Sequence, residues 1–389
     1  MTAYQAFEQI YKKAPQYNAF TPYRVCPVGA HVDHQLGKIT GFAINKGIHI
    51  AYGPKENGVI EIQSLQFDKR AQWHVSLTPE KQEDWADHLR GATIALNKRY
   101  PLRRGLCAVI DGELPIGGLS SSAAVIITFL SALCSMNGIA LTPQELIAIS
   151  KEAENKYVGV ASGKLDQSCE VYCKKNHLLY MDLKDDTYEL IPQSKKMKPY
   201  KFVIFFSGLE RSLAGSAFNM RVDECRSAAY ALKAYAGMEY GKFEDTNLRD
   251  VPAEVFQQFK DKLPENFRKR AEHWYSEFDR VEKGAEAWRN GDIEEYGRLS
   301  FESGYSSIHN WETGSPELIK LYEIMTKTKG IYGGRFSGAG FKGCCLAIID
   351  PDYEEEIVKT VTKEYLKAFP HLEDKYSAHI CETANGVNL

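Results

Sequence analysis

A chain of 389 residues, 44% hydrophobic and 25% charged, is long enough for two domains with real cores and has an ordinary soluble globular composition. Its net charge of −3 gives no basic footprint for nucleic acid, and the lysine pairs Lys12-Lys13 and Lys195-Lys196 read as solvated faces. No apolar run reaches the ~18 residues of a membrane span, Met1 to Pro15 does not read as a signal peptide, and nine cysteines without paired CxxC spacing point to reduced thiols. The expectation is a cytoplasmic monomer with a small-molecule partner, engaging neither nucleic acid nor membrane.

In chain order, a helix-like segment runs to about Ala14. TPYRVCPVGAHVDHQLGKITG follows, a Gly- and Pro-punctuated loop carrying Arg24, Ala30, His31, Asp33 and His34 ahead of a strand from about Thr40 to Ala51. Gly58 to Phe67 alternates as a half-exposed strand expected to pair with that predecessor; WADHLRGATIAL, from Trp85, reads as an amphipathic helix, and Leu106 to Ile110 as another strand. His31, Asp33 and His34 have ligand chemistry, but no further partner with metal spacing follows, and recognition of a hydroxylated ligand fits better.

The organising stretch is ELPIGGLSSSAAV, Glu113 to Val125, which opens an apolar helix ending at Asn137-Gly138. With almost no polar face, that helix must be buried. Its first turn, Ser120, Ser121 and Ser122, leaves free N–H groups and the positive end of the helix dipole facing outward, an anion site that Gly117 and Gly118 let an anion approach closely. The plainer alternative is a serine N-cap after a tight turn. Thr142-Pro143-Gln144-Glu145 is a capping box starting a helix to about Lys156, which carries Glu154 near its end, and Asp166 opens a short helix after a glycine turn. Cys169, Cys173 and His177 read as packing residues.

A strand from Leu178 to Leu183, a polar stretch to Pro199 and an apolar strand from Phe202 to Phe206 place a domain boundary near residue 195, dividing the chain into 1–195 and 196–389. Amphipathic helices are expected near 217–236, 267–290 and 292–307, the last capped by Asp292. The glycine-dense loop GIYGGRFSGAGFKG leads into a strand from Cys344 to Ile349, a helix to about Phe369 and a final strand from Ser377 to Cys381.

Taken together, these motifs resemble the GHMP kinase superfamily, in its galactokinase branch. RVCPVGAHVDH is similar to the family's sugar-binding motif, PIGGLSSSAA to its phosphate loop and GGRFSGAGFKGCC to its third, glycine-rich motif; WADHLRGA and the run from Glu154 to Asp166 agree. The loop between Pro115 and Leu119 is one residue shorter than is usual in galactokinases. The resemblance implies a two-domain α+β GHMP-kinase-type fold with the active site in the interdomain cleft, and transfer of the γ-phosphoryl group of ATP to a sugar's anomeric hydroxyl. The matching positions imply Asp166 as base and Arg24 as its cationic neighbour, both also touching substrate. They further imply nucleotide binding by Trp85, Gly117, Gly118, Leu119, Ser120, Ser121, Ser122 and Ala123, Mg²⁺ ligation by Ser122 and Glu154, and sugar contacts from Ala30, His31, Asp33, His34, Phe218 and Gly338. In-line positioning and charge stabilisation are what phosphoryl transfer demands.

Three positions depart from the galactokinase pattern. Ala30 stands where galactokinases have a glutamate facing the C6 hydroxyl, and His34 and Phe218 stand at tyrosine positions. The alanine and histidine resemble galacturonokinases, so the implied substrate is D-galacturonate, with galactose or another neutral sugar such as arabinose as the alternative. On this reading His34, once protonated, would attract the substrate carboxylate. A non-catalytic sugar sensor is disfavoured because Ser121, Ser122, Ala123 and Asp166 are all present. A plain dinucleotide-binding fold is disfavoured because neither glycine loop follows the first strand with an acid ~20 residues on.

Overall fold

The computed structural model describes residues 1–77, 79–209 and 215–388. Its strands are β1 (Tyr17–Val25), β2 (Lys38–Lys55), β3 (Val59–Ser64), β4 (Ala71–His74), β5 (Gly105–Gly112), β6 (His177–Asp182), β7 (Thr187–Pro192), β8 (Lys201–Phe206), β9 (Ile331–Phe336), β10 (Cys344–Ile349), β11 (Ser377–Cys381) and β12 (Thr383–Ala384). Its helices are α1 (Ala3–Tyr11), α2 (Asp87–Asn97), α3 (Ser121–Asn137), α4 (Pro143–Glu152), α5 (Leu165–Tyr172), α6 (Gly215–Tyr235), α7 (Ala253–Phe259), α8 (Glu265–Asn290), α9 (Ile293–His309), α10 (Pro316–Met325) and α11 (Glu354–Ala368).

Two sheets organise these elements. The first runs β4-β3-β5-β2-β6-β7, with β1 and β12 also pairing with β2; the second runs β11-β8-β10-β9. The chain's end therefore returns to the first sheet, Thr383 opposite Ile44. The expected pairing of β3 with β2 does not occur. β3 lies antiparallel to β4 and parallel to β5, and β5 occupies the place beside β2. A parallel pair needs a long crossover, and the segment containing α2 supplies it.

The second sheet is apolar on both faces, which explains the unbroken FVIFF of β8. Phe202, Ile204 and Phe206 join the core shared with the first sheet, α8 and α9, whereas Val203 and Phe205 pack with α10 and α11. β9 begins within the stretch read from sequence as a glycine loop; Gly333 and Gly334 are strand residues there, paired with Ile348 and Ala347.

Local sequence signals act as expected at several ends. Thr142 and Glu145 form the reciprocal capping box of α4 with Pro143 in its first turn, and Asp292 caps α9 through the Glu295 amide. α3 is buried along most of its length and stops at Gly138, which has φ 66°. All nine cysteines are buried and unpaired, Cys169 and Cys173 among them. No helix among the described residues is long and apolar enough to cross a membrane.

Candidate active site

The start of α3 is built to leave donors open. Ser120 adopts a left-handed conformation, φ 60°, makes no side-chain cap, and its buried hydroxyl has no hydrogen-bond partner among the described residues. The serine N-cap alternative is thus not what this turn forms. The Ser122 hydroxyl instead donates to Glu154 Oε1 at 2.8 Å, so the N–H groups of the first turn keep their capacity for an external acceptor. Ahead of them Gly117 and Gly118 have φ values of 137° and 89°. A Cβ on Gly118 would lie 2.6 Å from Cys344 Sγ, and one on Gly117 3.0 Å from the Gly343 Cα. Only glycine permits this packing of the first loop against the third motif.

Glu154 is held by a change of helix type. α4 ends at Glu152 rather than continuing to Lys156, and a π-helical turn spans Ala153–Val158. Such turns re-aim side chains at functional sites. The buried Glu154 carboxylate accepts from Ser122 on one oxygen and from Ser162 and Gln167, each at 3.0 Å, on the other.

Across the cavity, β1 presents Arg24 and α5 presents Asp166. Arg24 Nε donates to Asp166 Oδ1 at 2.8 Å, Nη2 approaches the same oxygen at 2.7 Å, and Nη1 donates to the Gly118 carbonyl at 3.0 Å. Burial alone would depress the guanidinium; the adjacent carboxylate outweighs it and raises its pKa. One charged pair therefore ties the acid to the phosphate loop. Asp33, half-buried and near Asp166, has its own pKa raised, first by desolvation and then by that like charge, and its Oδ2 accepts from the Leu165 amide at 3.3 Å.

A cavity of about 170 Å³ is lined by Arg24, Ala30, His31, Asp33, Gly118, Ser120, Ser122, Glu154, Asp166, Phe218 and Gly338, all singled out from sequence. His31 Nε2 donates to the Gly338 carbonyl at 3.0 Å, leaving Nδ1 an acceptor without a partner among the described residues. Leu119 and Ala123 are instead core residues. Gly117 and Ser121 stand at the loop and helix start without lining the cavity.

Two residues depart from expectation. His34 does not line the cavity; its ring stands edge-on to Phe218 and against Trp311. Burial, reinforced by Arg226, lowers its pKa to about 3, so a charged His34 is not available to attract a carboxylate near neutral pH. Trp85 also lies outside the cavity, donating to the Lys69 carbonyl at 2.9 Å and stacking on Phe67.

Several lining residues carried no signal strong enough to single them out. Ser162 supports Glu154 from the wall, as the buried Gln167 does from behind it, and Lys342, with Phe341 and Ala339, comes from the third motif. Among the described residues Lys342 is, with Arg24, a cation of the cavity wall, and it has no carboxylate partner there. A lysine inside a glycine-rich run was the available clue.

The open helix start, the partnerless Ser120 hydroxyl and the glycine cradle fit the phosphates of a nucleotide. A hydroxyl beside one carboxylate fits Mg²⁺, which takes most of its ligands from phosphate and water. No group of three or more His, Cys, Asp or Glu among the described residues could hold a metal by itself.

Comparison with known proteins converges on one family. The family models for the GHMP kinases N terminal domain and the GHMP kinases C terminal match residues 85–174 and 285–367. The chain is 37% identical to a galacturonokinase of Arabidopsis thaliana, covering 95% of this chain and 92% of that one. It is 29% identical to a galactokinase of Roseiflexus sp., covering 98% and 95%. The solved structure of Lactococcus lactis galactokinase complexed with galactose superposes with a TM-score of 0.89 at 25% identity, covering 99% of this chain and 98% of that one. The chain belongs to the GHMP kinases, in the branch that holds galactokinases and galacturonokinase, and has that family's two-domain α+β fold.

Proposed function

We propose that this kinase transfers the γ-phosphoryl group of ATP to the anomeric hydroxyl of D-galacturonate. The observation that carries the substrate assignment is Ala30: an alanine lines the cavity that also holds the Arg24–Asp166 pair, and the galacturonokinase relative matches over nearly the whole chain. Neither His31 nor His34 adds a charge near neutral pH, because burial, with nearby Arg335 and Arg226 respectively, lowers both. Lys342, on the cavity wall and without a carboxylate partner among the described residues, would supply a positive charge for an anionic substrate.

In this reading Asp166 orients the sugar hydroxyl and accepts its proton, and Arg24 holds that carboxylate in place while facing the charge that develops on the transferred group. The backbone of Gly118 to Ala123 cradles the phosphates. Ser122 and Glu154 would hold Mg²⁺, which neutralises phosphate charge when bound. Trp85, outside the cavity, keeps the place near the adenine that the family resemblance implies, and the domains are 1–195, with the sugar and phosphate motifs, and 196–389. The protein acts as a cytoplasmic monomer.

The direct test is product formation from ATP and a panel of galacturonate, galactose, glucuronate, arabinose and N-acetylgalactosamine, with the product mapped by NMR. Galacturonate 1-phosphate as the preferred product supports the reading. Preference for a neutral sugar overturns it.

A further inference from the structure

The segment Gly29–His31 forms one wall of the cavity, yet little in its own sequence holds it in place. Gly29 sits at φ 106°, where a Cβ would lie 2.9 Å from both the Ile39 Cα and the Thr40 backbone nitrogen. Its amide donates to Glu277 Oε1 at 2.6 Å, and the Ala30 carbonyl lies 3.1 Å from His273 Nε2. Both partners come from α8 and are fully buried. Residues four apart share a helix face, so one face of α8 grips the Val28–Gly29 and Ala30–His31 peptide groups, which bracket Gly29 and Ala30.

The polar network behind the grip defines its protonation. A carbonyl can only accept, so His273 Nε2 carries the proton and Nδ1 accepts from the Ser306 hydroxyl at 2.9 Å; Asn310 Nδ2 donates in turn to Ser306 Oγ at 3.2 Å. Glu277 is neutralised on its far side. Its Oε2 accepts from Arg280 at 2.7 Å, its Oε1 accepts from Ser303 at 2.6 Å, and Arg335 of β9 lies 3.6 Å away while also bonding Ser303 and Ser307. The His273 ring also packs against His31 and Trp311, whose rings stack on each other.

We infer that His273 and Glu277 are positioning residues for sugar recognition: α8 fixes the height of Ala30 and His31 above the cavity, and so sets which group at the sugar's C6 end is accepted. The inference rests on the proposed reading of this cavity as the sugar site, but not on which sugar it takes. His273 touches no reacting atom; it acts through the Ala30 carbonyl.

The test uses the full-length protein and whichever sugar the wild type turns over best, so that an error in the galacturonate assignment leaves it readable. His273→Phe keeps a ring but removes the donor. It is expected to raise the sugar KM about tenfold, with kcat and the Kd for ADP, read by calorimetry, within about threefold. His273→Gln places an amide N–H near the position of Nε2 and is expected to restore the sugar KM to within about threefold of wild type. Ser306→Ala, which removes only the hydroxyl that orients the imidazole, covers the case in which His273→Phe fails to fold; a sugar-specific rise of about threefold is expected. An unchanged sugar KM in Ser306→Ala and His273→Phe, or equal losses of sugar and ADP affinity without rescue by glutamine, would overturn the assignment.

Discussion

The phosphate-loop wall of the cavity and the Ala30 wall facing it solve opposite problems. Around Gly117–Ser122 the protein withholds its own hydrogen bonds: Ser120 makes no side-chain cap, its hydroxyl has no partner among the described residues, and the first helical amides stay open. Around Gly29–His31 it satisfies the backbone from outside, with α8 supplying His273 and Glu277. One wall is an acceptor's vacancy; the other is a shape with its charge removed. On the proposed reading the difference separates tasks: phosphate recognition would depend on backbone and helix dipole, whereas sugar choice would rest on one side chain held at a fixed height.

The sharpest way to break this division is Asp166→Asn. Asp166 is tied to the phosphate wall through Arg24 and the Gly118 carbonyl, and loss of a positioned base is expected to lower kcat by roughly 10²–10⁴-fold. Affinity for an ATP analogue should stay within about threefold. Near wild-type turnover in this variant would reduce Asp166 to a structural partner of Arg24.

A smaller effect is expected from Gly118→Ala. The left-handed backbone disfavours alanine by roughly 1–2 kcal/mol, and the new methyl would press on Cys344 and the Ser337 carbonyl. The variant should melt several degrees lower and bind ATP more weakly than the wild type, with the sugar Kd little altered. Equal losses of both affinities would mean the two walls are not mechanically separate.

Acid acts on stability rather than on turnover. Burial lowers His34 to about 3 and His273 to about 4, whereas an unfolded histidine titrates near ~6.5. Between those values the unfolded chain binds more protons, so stability is full above about pH 6.5 and is lost as pH falls toward the folded values, by up to ~1.4 kcal/mol per pH unit per histidine. Urea unfolding at pH 7 and pH 5 should show lower stability at pH 5, and His34→Phe should flatten that slope. A slope unchanged in the variant would mean that His34 is not held neutral by the fold.

The phosphate wall was legible because its chemistry is local: paired glycines, three serines and an apolar helix are contiguous, and backbone amides need no distant partner. Arg24, Asp166 and Glu154 could be placed once the motifs were recognised as those of a family. What stayed hidden depends on long-range register. β5 inserts between β3 and β2 because α2 carries the chain across, which alternation within β3 cannot reveal. The π-helical turn at Ala153–Val158 looks like ordinary helix in sequence. His34 carries the composition of a ligand-binding residue, yet packing against Trp311 and Phe218 turns it into a neutral, buried ring. For α8 a clue existed: His273, Glu277 and Arg280 interrupt a face that otherwise carries Trp274, Val281 and Trp288, and charges on a buried face require partners.

The claim that position 30 sets the sugar is tested most directly by the ratio of kcat/KM for galacturonate to that for galactose in the wild type and in Ala30→Glu. A glutamate about 4 Å from the substrate carboxylate would cost roughly 4 kcal/mol at an effective dielectric near 20. Galactose would gain a charge-assisted hydrogen bond worth about 1.5–3 kcal/mol. The account predicts a wild type that prefers galacturonate and a ratio that falls by roughly 10⁴–10⁵-fold in the variant, both terms acting in the same direction. A wild type that prefers galactose, or a ratio that does not move, would contradict it.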